Sequence, residues 1–397
     1  MATEEQDIQA VEAEHLLQVY KRVPIVLTRG KGSYVYDTED RPYLDFLSGI
    51  GVASLGHAHP GLAAAVADQA RTLLHTSNLY YHPFQGQLGR RLAALSGLPR
   101  AFFCNSGAEA VEGCLKFARR YWHTRGETAR TRIVALERSF HGRTFGALST
   151  TWEPRYRAPF EPLLEGVAFV SPTDPDALDT AVGSDVAAII LEPIQGEGGV
   201  WPLSPEFVAA VTAACERTGT LLIADEIQCG LGRTGAPFHS ATVGLHPDLM
   251  ALGKALGAGV PIGAILMSQD VADAISPGDH GTTYGGNLLA CRAALVFLDA
   301  MEHGGLDRVR VAGTRLAAGL RALATRHPVI TDVRGAGLMR GLEMTVEAAT
   351  RVVDGALAHR LLVNRAAGRV VRMLPPLTVS DEEIDEGLQI LDAVLGE

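Results

Sequence analysis

The chain has 397 residues, 47% of them hydrophobic, with 35 basic against 45 acidic side chains for a formal charge of -10. That length accommodates two domains or one large domain with an appendage, and an acidic balance without a basic run excludes nucleic acid and anionic membrane as expected partners. Five cysteines, Cys104, Cys114, Cys215, Cys229 and Cys291, form no CxxC pair, so neither a disulfide framework nor a zinc or other metal site is expected.

The opening MATEEQDIQAVEAEH lacks a leader pattern, and no charge-free apolar stretch approaches about 20 residues, so a soluble cytoplasmic protein is expected. Residues 4–20 predict an amphipathic helix, and 33–46 a hairpin turned at Glu39 and Asp40. A Gly-, His- and Pro-rich loop over 49–61 leads into a helix at 62–74. Its His57 and His59 have no further metal-ligating cluster nearby and read as loop residues.

Residues 101–104 form a short apolar strand that runs into Asn105, Ser106, Gly107, Ala108 and Glu109, then a helical pattern over 110–121. Strand, small-residue turn and helix together offer free N–H groups and a positive dipole end to a phosphate. Ser106, Gly107 and Ala108 are the candidate cradle, with an ordinary Ser106 N-cap as the plain alternative. Strand 132–136 carries Ser139, Phe140, His141, Gly142 and Arg143 at its carboxyl end. Phe140 can stack on a cofactor ring and Arg143 can clamp a carboxylate, against core packing and surface exposure. Strand 186–191 ends in Glu192, Pro193, Ile194, Gln195, Gly196, Glu197, Gly198 and Gly199.

The central stretch is 221–254. Leu221, Leu222, Ile223 and Ala224 read as a strand buried on both faces, ending at Asp225 and Glu226; a second run over 249–252 ends at Gly253 and Lys254. Ligands of open α/β sheets bind outside the carboxyl ends of strands, so Asp225 and Lys254 face one crevice if the strands share a sheet. An amine and a carboxylate there suit pyridoxal phosphate: the amine forms a Schiff base and the acid keeps the pyridine nitrogen protonated. A salt bridge is the alternative. Against it, the chain has only four lysines, Lys21, Lys31, Lys116 and Lys254, and arginine cannot do amine chemistry at neutral pH.

The glycines Gly230, Gly232 and Gly235 spell GxGxxG, but no helical pattern follows, which removes a dinucleotide reading. Residues 261–267 predict a strand and 280–287 (HGTTYGGN) a polar loop. Helical periodicity resumes at 288; 329–344 and 361–374 alternate as strands, with Arg372 just before two prolines. A capping box of Ser380 and Glu383 opens a closing helix over 380–395. Alternating strands and helices imply βαβ crossovers. The division expected is an N-terminal segment of a small domain (1–50), a large domain (51–287) and a C-terminal small domain (288–397).

Taken together, YLDFLSGIGVASLGHAHP, NSGAEAVE, FHGRTFGALS, EPIQGEGG, LLIADEIQCGLGRTG, GKALGAGVPIGA, TTYGGN and VVRMLPPL resemble the class III pyridoxal-phosphate aminotransferases of fold type I, over nearly the whole chain. The resemblance implies an α/β fold: a large domain with a mainly parallel sheet flanked by helices, plus a smaller α+β domain from the N- and C-terminal segments. It implies that Lys254 holds the cofactor, Asp225 pairs with its ring nitrogen, Gln228 reaches its hydroxyl, Phe140 stacks on it, and Gly107 and Ala108 bind its phosphate. Thr283 would reach that phosphate from the other subunit of a homodimer. Arg143 and Thr282 would touch the amino-acid substrate; Arg372 would bind the carboxylate of 2-oxoglutarate, with Glu192 pairing with Arg372 while an ω-amino donor is bound. Ile50 stands where ornithine-specific relatives usually carry a tyrosine, which favours an acylated donor, N-acetylornithine first. Succinylornithine, N-acyl-diaminopimelate, a carrier-bound lysine intermediate and 4-aminobutyrate stay open.

Overall fold

The computed structural model describes residues 4–397; the first three residues of the expected N-terminal segment lie outside the described residues. Seven strands make the central sheet: β1 (Arg100–Cys104), β2 (Arg132–Leu136), β3 (Val167–Val170), β4 (Val186–Leu191), β5 (Leu221–Asp225), β6 (Leu249–Leu252) and β7 (Gly263–Met267), in spatial order β1-β7-β6-β5-β4-β2-β3. Neighbours pair in parallel except at β7, which runs antiparallel to β6 and β1. Every residue of β4, β5, β6 and β7 is buried, which is why their sequences are apolar without alternation.

Helices cover both faces. Ile133 and Ala135 point to the face where Leu115 and Ala118 of helix Gly107–Thr124 pack, while Val134 and Leu136 meet Phe207 and Val211 of helix Pro205–Thr218 on the other. The carboxyl ends of β2, β4, β5 and β6 therefore open at one rim, where the loops can carry polar groups.

A four-stranded antiparallel sheet, Asp332–Ala336, Met339–Glu343, Val370–Met373 and Asn364–Ala366, lies beyond that rim. Helix Leu306–Arg326 packs on Asp381–Gly396, whose Ser380 and Glu383 form the expected capping box. A third sheet joins the chain's two ends: Leu27–Lys31, Tyr34–Asp37 and Pro42–Asp45 are completed by Leu361–Leu362, with Leu361 opposite Leu44. Beside it the Leu374 N–H donates to the Phe46 carbonyl at 2.6 Å, and the Ser48 hydroxyl to the Leu374 carbonyl at 2.6 Å.

Several expectations need correction. The first helix ends at His15, not 20, and is no amphipath: polar residues surround Ile8 and Val11, and Val11 is 57% exposed. Strands Leu27–Lys31 and β3 were not expected. The helical stretch after 288 breaks at His303 and Gly304, which leave helical geometry. Residues 329–344 are a hairpin turned at Gly337, whose φ of 52° and contact with the Thr234 backbone leave no place for a side chain. His57 and His59 have local roles: His57 Nε2 lies 2.8 Å from Asp45, and His59 caps helix Pro60–Thr72. No helix among the described residues is long and apolar enough to cross a membrane, and none of their His, Cys, Asp or Glu residues cluster as a metal site.

Candidate active site

Two tight approaches bring three turns together at the rim. Gly107 begins the 18-residue helix Gly107–Thr124, and a Cβ there would lie 2.8 Å from Ile227 Cδ1, in the loop after β5. A Cβ on Gly253, just before Lys254, would lie 3.1 Å from the Gly107 Cα and N. These glycines let the turns after β1, β5 and β6 close around a cavity of about 300 Å³, lined by Gly107, Ala108, Phe140, Arg143, Asp225, Gln228 and Lys254 together with His141, Gly142, Glu192 and Ile227. Ser106 serves the plain alternative: its Oγ accepts the Glu109 N–H at 3.2 Å as N-cap.

Asp225 ends β5 almost fully buried, and both its oxygens are engaged. Oδ1 accepts the Ile227 N–H at 3.1 Å, and Oδ2 lies 2.7 Å from His141 Nδ1. Glu226 turns away from the cavity and accepts the N–H groups of His239 and Ser240, so only one of the two carboxylates at this strand end belongs to the site. Lys254 has φ 38°, a conformation costing a non-glycine residue about 1–3 kcal/mol, which marks a position held by its surroundings. Burial lowers its basicity, against the opposing charges of Asp225 and Glu197.

Glu192, at the end of β4, is wholly enclosed. Its oxygens accept the Phe140 and Gly196 N–H groups, each at 2.9 Å. Burial pushes its carboxyl up to about 7; His141 and the two N–H groups oppose that, and Asp225 adds to it.

Arg372 is fully buried and reaches the rim from the antiparallel sheet. Its Nη1 donates to Glu197 Oε1 at 2.5 Å and Gln228 Oε1 at 3.0 Å, its Nε to Asn364 Oδ1 at 3.1 Å, and its Nη2 has no partner. The expected Glu192–Arg372 pair is thus corrected to Glu197–Arg372. The two backbone amides consume Glu192, whereas Glu197 lies beyond the Gly196 turn that brings it to the guanidinium. Burial raises the Glu197 carboxyl, but the charge and hydrogen bond of Arg372 outweigh it and hold the group below its ordinary value.

Arg143 is exposed, with its guanidinium carbon 3.5 Å from the Tyr156 ring centroid. Thr282 and Thr283 do not line this cavity. The Thr282 hydroxyl accepts from Asn105 Nδ2 and the Gly285 N–H, each at 3.2 Å, and Thr283 is exposed. Sequence reasoning missed Glu197 and the contact of His141 with Asp225. Both lay inside quoted motifs, and the strand-end position of FHGR together with the second acid of EPIQGEGG was the available signal.

Residues 17–395 match the family described as aminotransferase class-III. The chain is 46% identical over 387 residues to the acetylornithine aminotransferase of Caldanaerobacter subterraneus subsp. tengcongensis, covering 97% of this chain and 98% of that protein. It is 45% identical over 390 residues to the acetylornithine aminotransferase of Methanocaldococcus jannaschii, covering 98% and 97%. Among solved structures, the ornithine aminotransferase of Toxoplasma gondii with pyridoxal phosphate at partial occupancy superposes with a TM-score of 0.94 at 34% identity, covering 98% of this chain and 94% of that one.

Proposed function

Because the chain belongs to the class III aminotransferase family, we propose that it moves the terminal amine of N2-acetyl-L-ornithine to 2-oxoglutarate, giving N-acetyl-L-glutamate 5-semialdehyde and L-glutamate in cytoplasmic arginine biosynthesis. The observation that carries this reading is full-length identity of 45–46% to relatives so named. The cofactor is pyridoxal phosphate. The cavity fits it: a helix N-terminus without bulky side chains for the phosphate, an aromatic wall, a buried carboxylate and a buried amine. Bound there, the cofactor supplies an electron sink that eases proton loss from the carbon bearing the transferred nitrogen.

The chain's own groups supply the rest. Gly107 and Ala108 would hold the phosphate, Phe140 would cover one ring face, Gln228 would reach the ring hydroxyl, and Asp225 would balance the charge of the ring nitrogen. Lys254 would carry the cofactor, and its amine, made less basic by burial, would take and return the proton. Arg143 would hold the far carboxylate of either substrate. Next to the reacting carbon the donor has a plain methylene and the acceptor a carboxylate. Glu197 masks Arg372 for the first and releases it for the second.

A second copy would complete the site. Leu79, Tyr80 and Tyr81 are 86%, 69% and 106% exposed. Asn78 ties this apolar segment to the 282–285 loop through the Thr282 and Gly285 carbonyls, which favours a homodimer with Thr282 and Thr283 serving the partner's cavity. A succinylated donor is the second reading. An outer chamber of about 550 Å³, lined in part by Glu197, shares Phe140 with the cavity, and its Arg138 and Arg365 form no ion pair among the described residues.

Initial rates with acetyl- and succinylornithine against 2-oxoglutarate should give parallel double-reciprocal lines and glutamate, with borohydride fixing the cofactor on Lys254. Intersecting lines or label elsewhere would overturn the reading.

A further inference from the structure

We propose that Arg334 is a positioning residue for the Glu197–Arg372 pair: it pins the backbone two residues beyond Glu197 to the sheet that carries Arg372, and so delivers the carboxylate to that guanidinium. The inference rests on the masking of Arg372 put forward above and extends it to a residue that lines neither the cavity nor the outer chamber.

In the antiparallel sheet Arg334 stands opposite Gly341, and Gly341 opposite Arg372. Directly opposed residues share a face, so the two arginines flank a position without a side chain. Val200 fills that gap: a Cβ on Gly341 would lie 3.1 Å from the Val200 Cβ. The segment that follows β4 thus crosses the sheet between the arginines. Arg334 Nε donates to the Gly199 carbonyl at 2.8 Å, with its guanidinium carbon 3.5 Å from the Trp201 ring centroid, while Arg372 takes the Glu197 carboxylate.

The crossing is fixed at both ends. Val200 is fully buried at φ 58°, a conformation that a β-branched residue keeps only where its surroundings impose it. On the other side the Gly196 N–H is bound by Glu192, and the Gly196 carbonyl accepts the Gly199 and Val200 N–H groups at 3.2 and 3.3 Å. Between these points lie Glu197 and Gly198, and a Cβ at 198 would lie 2.5 Å from the Arg138 carbonyl oxygen. Arg334 does not compete for Glu197, because Asp332 at 2.9 Å and Glu343 meet its charge within its own sheet. Without the bond to Gly199, Glu197 keeps its charge but samples more positions, and its hold on Arg372 weakens.

The test is a double-mutant cycle in the cofactor-loaded enzyme, with Arg334→Lys, Glu197→Ala and the two combined, each half-reaction followed separately by the bound cofactor's absorbance. A lysine can answer Asp332 and Glu343 but lacks the further nitrogen that holds Gly199. Arg334→Lys should tighten 2-oxoglutarate and weaken N-acetylornithine, each by about 3- to 10-fold, bounded by what loss of Glu197 itself produces. In the Glu197→Ala background the same substitution should change neither half. Losses of equal size in both halves, or no shift in either, would overturn the proposal, as would an undiminished effect in the absence of Glu197. If Arg334→Lys does not fold, Val200→Ala, which loosens the same crossing from its other side, is judged by the same outcomes. A Glu197→Ala enzyme with wild-type half-reactions would instead defeat the masking itself.

Discussion

Removing Glu197 isolates the charge exchange at Arg372. The guanidinium is fully buried, and Nη1 gives its 2.5 Å bond to Glu197 while Nη2 stands idle, so an incoming carboxylate can use both nitrogens only after Glu197 leaves. A hydrogen bond between charged groups contributes about 1.5–3 kcal/mol. Glu197 is 37% exposed on its side chain, so water screens it and the lower end applies, about 1.5 kcal/mol or roughly tenfold. Glu197→Ala should therefore tighten 2-oxoglutarate about tenfold in the second half-reaction and weaken the donor by a similar factor in the first. Arg372→Ala should instead cost the acceptor about 2–5 kcal/mol while sparing the donor half. Stopped-flow absorbance of the bound cofactor follows each half separately. Equal factors in both halves, or unchanged acceptor affinity in Glu197→Ala, would refute the masking argument.

Three further outcomes are expected. The Glu192 carboxyl rises from 4.5 to about 7 on folding, so the native state binds a proton that the unfolded chain releases, and stability falls as pH climbs through that window and stays lower above it. Urea unfolding of coenzyme-free protein at about pH 5 and 7.5 should show a smaller loss in Glu192→Gln than in wild type; identical losses would contradict the assignment. Gly253→Ala presses a methyl on the Gly107 backbone and should lower stability by about 1–3 kcal/mol along with cofactor affinity, so an unaltered melting curve would show that the two turns are not in contact. Leu79→Asp with Tyr81→Asp should sediment as an inactive monomer, whereas an intact dimer would place the interface elsewhere.

Legibility followed burial. β2, β4 and β6 were readable to the residue because enclosure on both faces demands unbroken apolar runs, and the ends of β2, β5 and β6 delivered Phe140, Asp225 and Lys254 to one rim. β3, at the sheet's edge and only partly covered, has four residues and little signal. Strand Leu27–Lys31 has Arg, Gly and Lys in its five positions and exists through pairing with its neighbour. The choice between Glu192 and Glu197 was beyond spacing. It depends on which carboxylate the Phe140 and Gly196 amides engage, and that is set by loops meeting across the sheet.

The pairing of Leu361 with Leu44 spans most of the chain. A ribosome must make more than three hundred residues before the first strands of that sheet gain their last neighbour, and the Phe46 carbonyl waits equally long for Leu374. Closing so long a loop is slow. The opening segment emerges early with nothing to bind, which makes it the stretch where a chaperone would be needed most during synthesis.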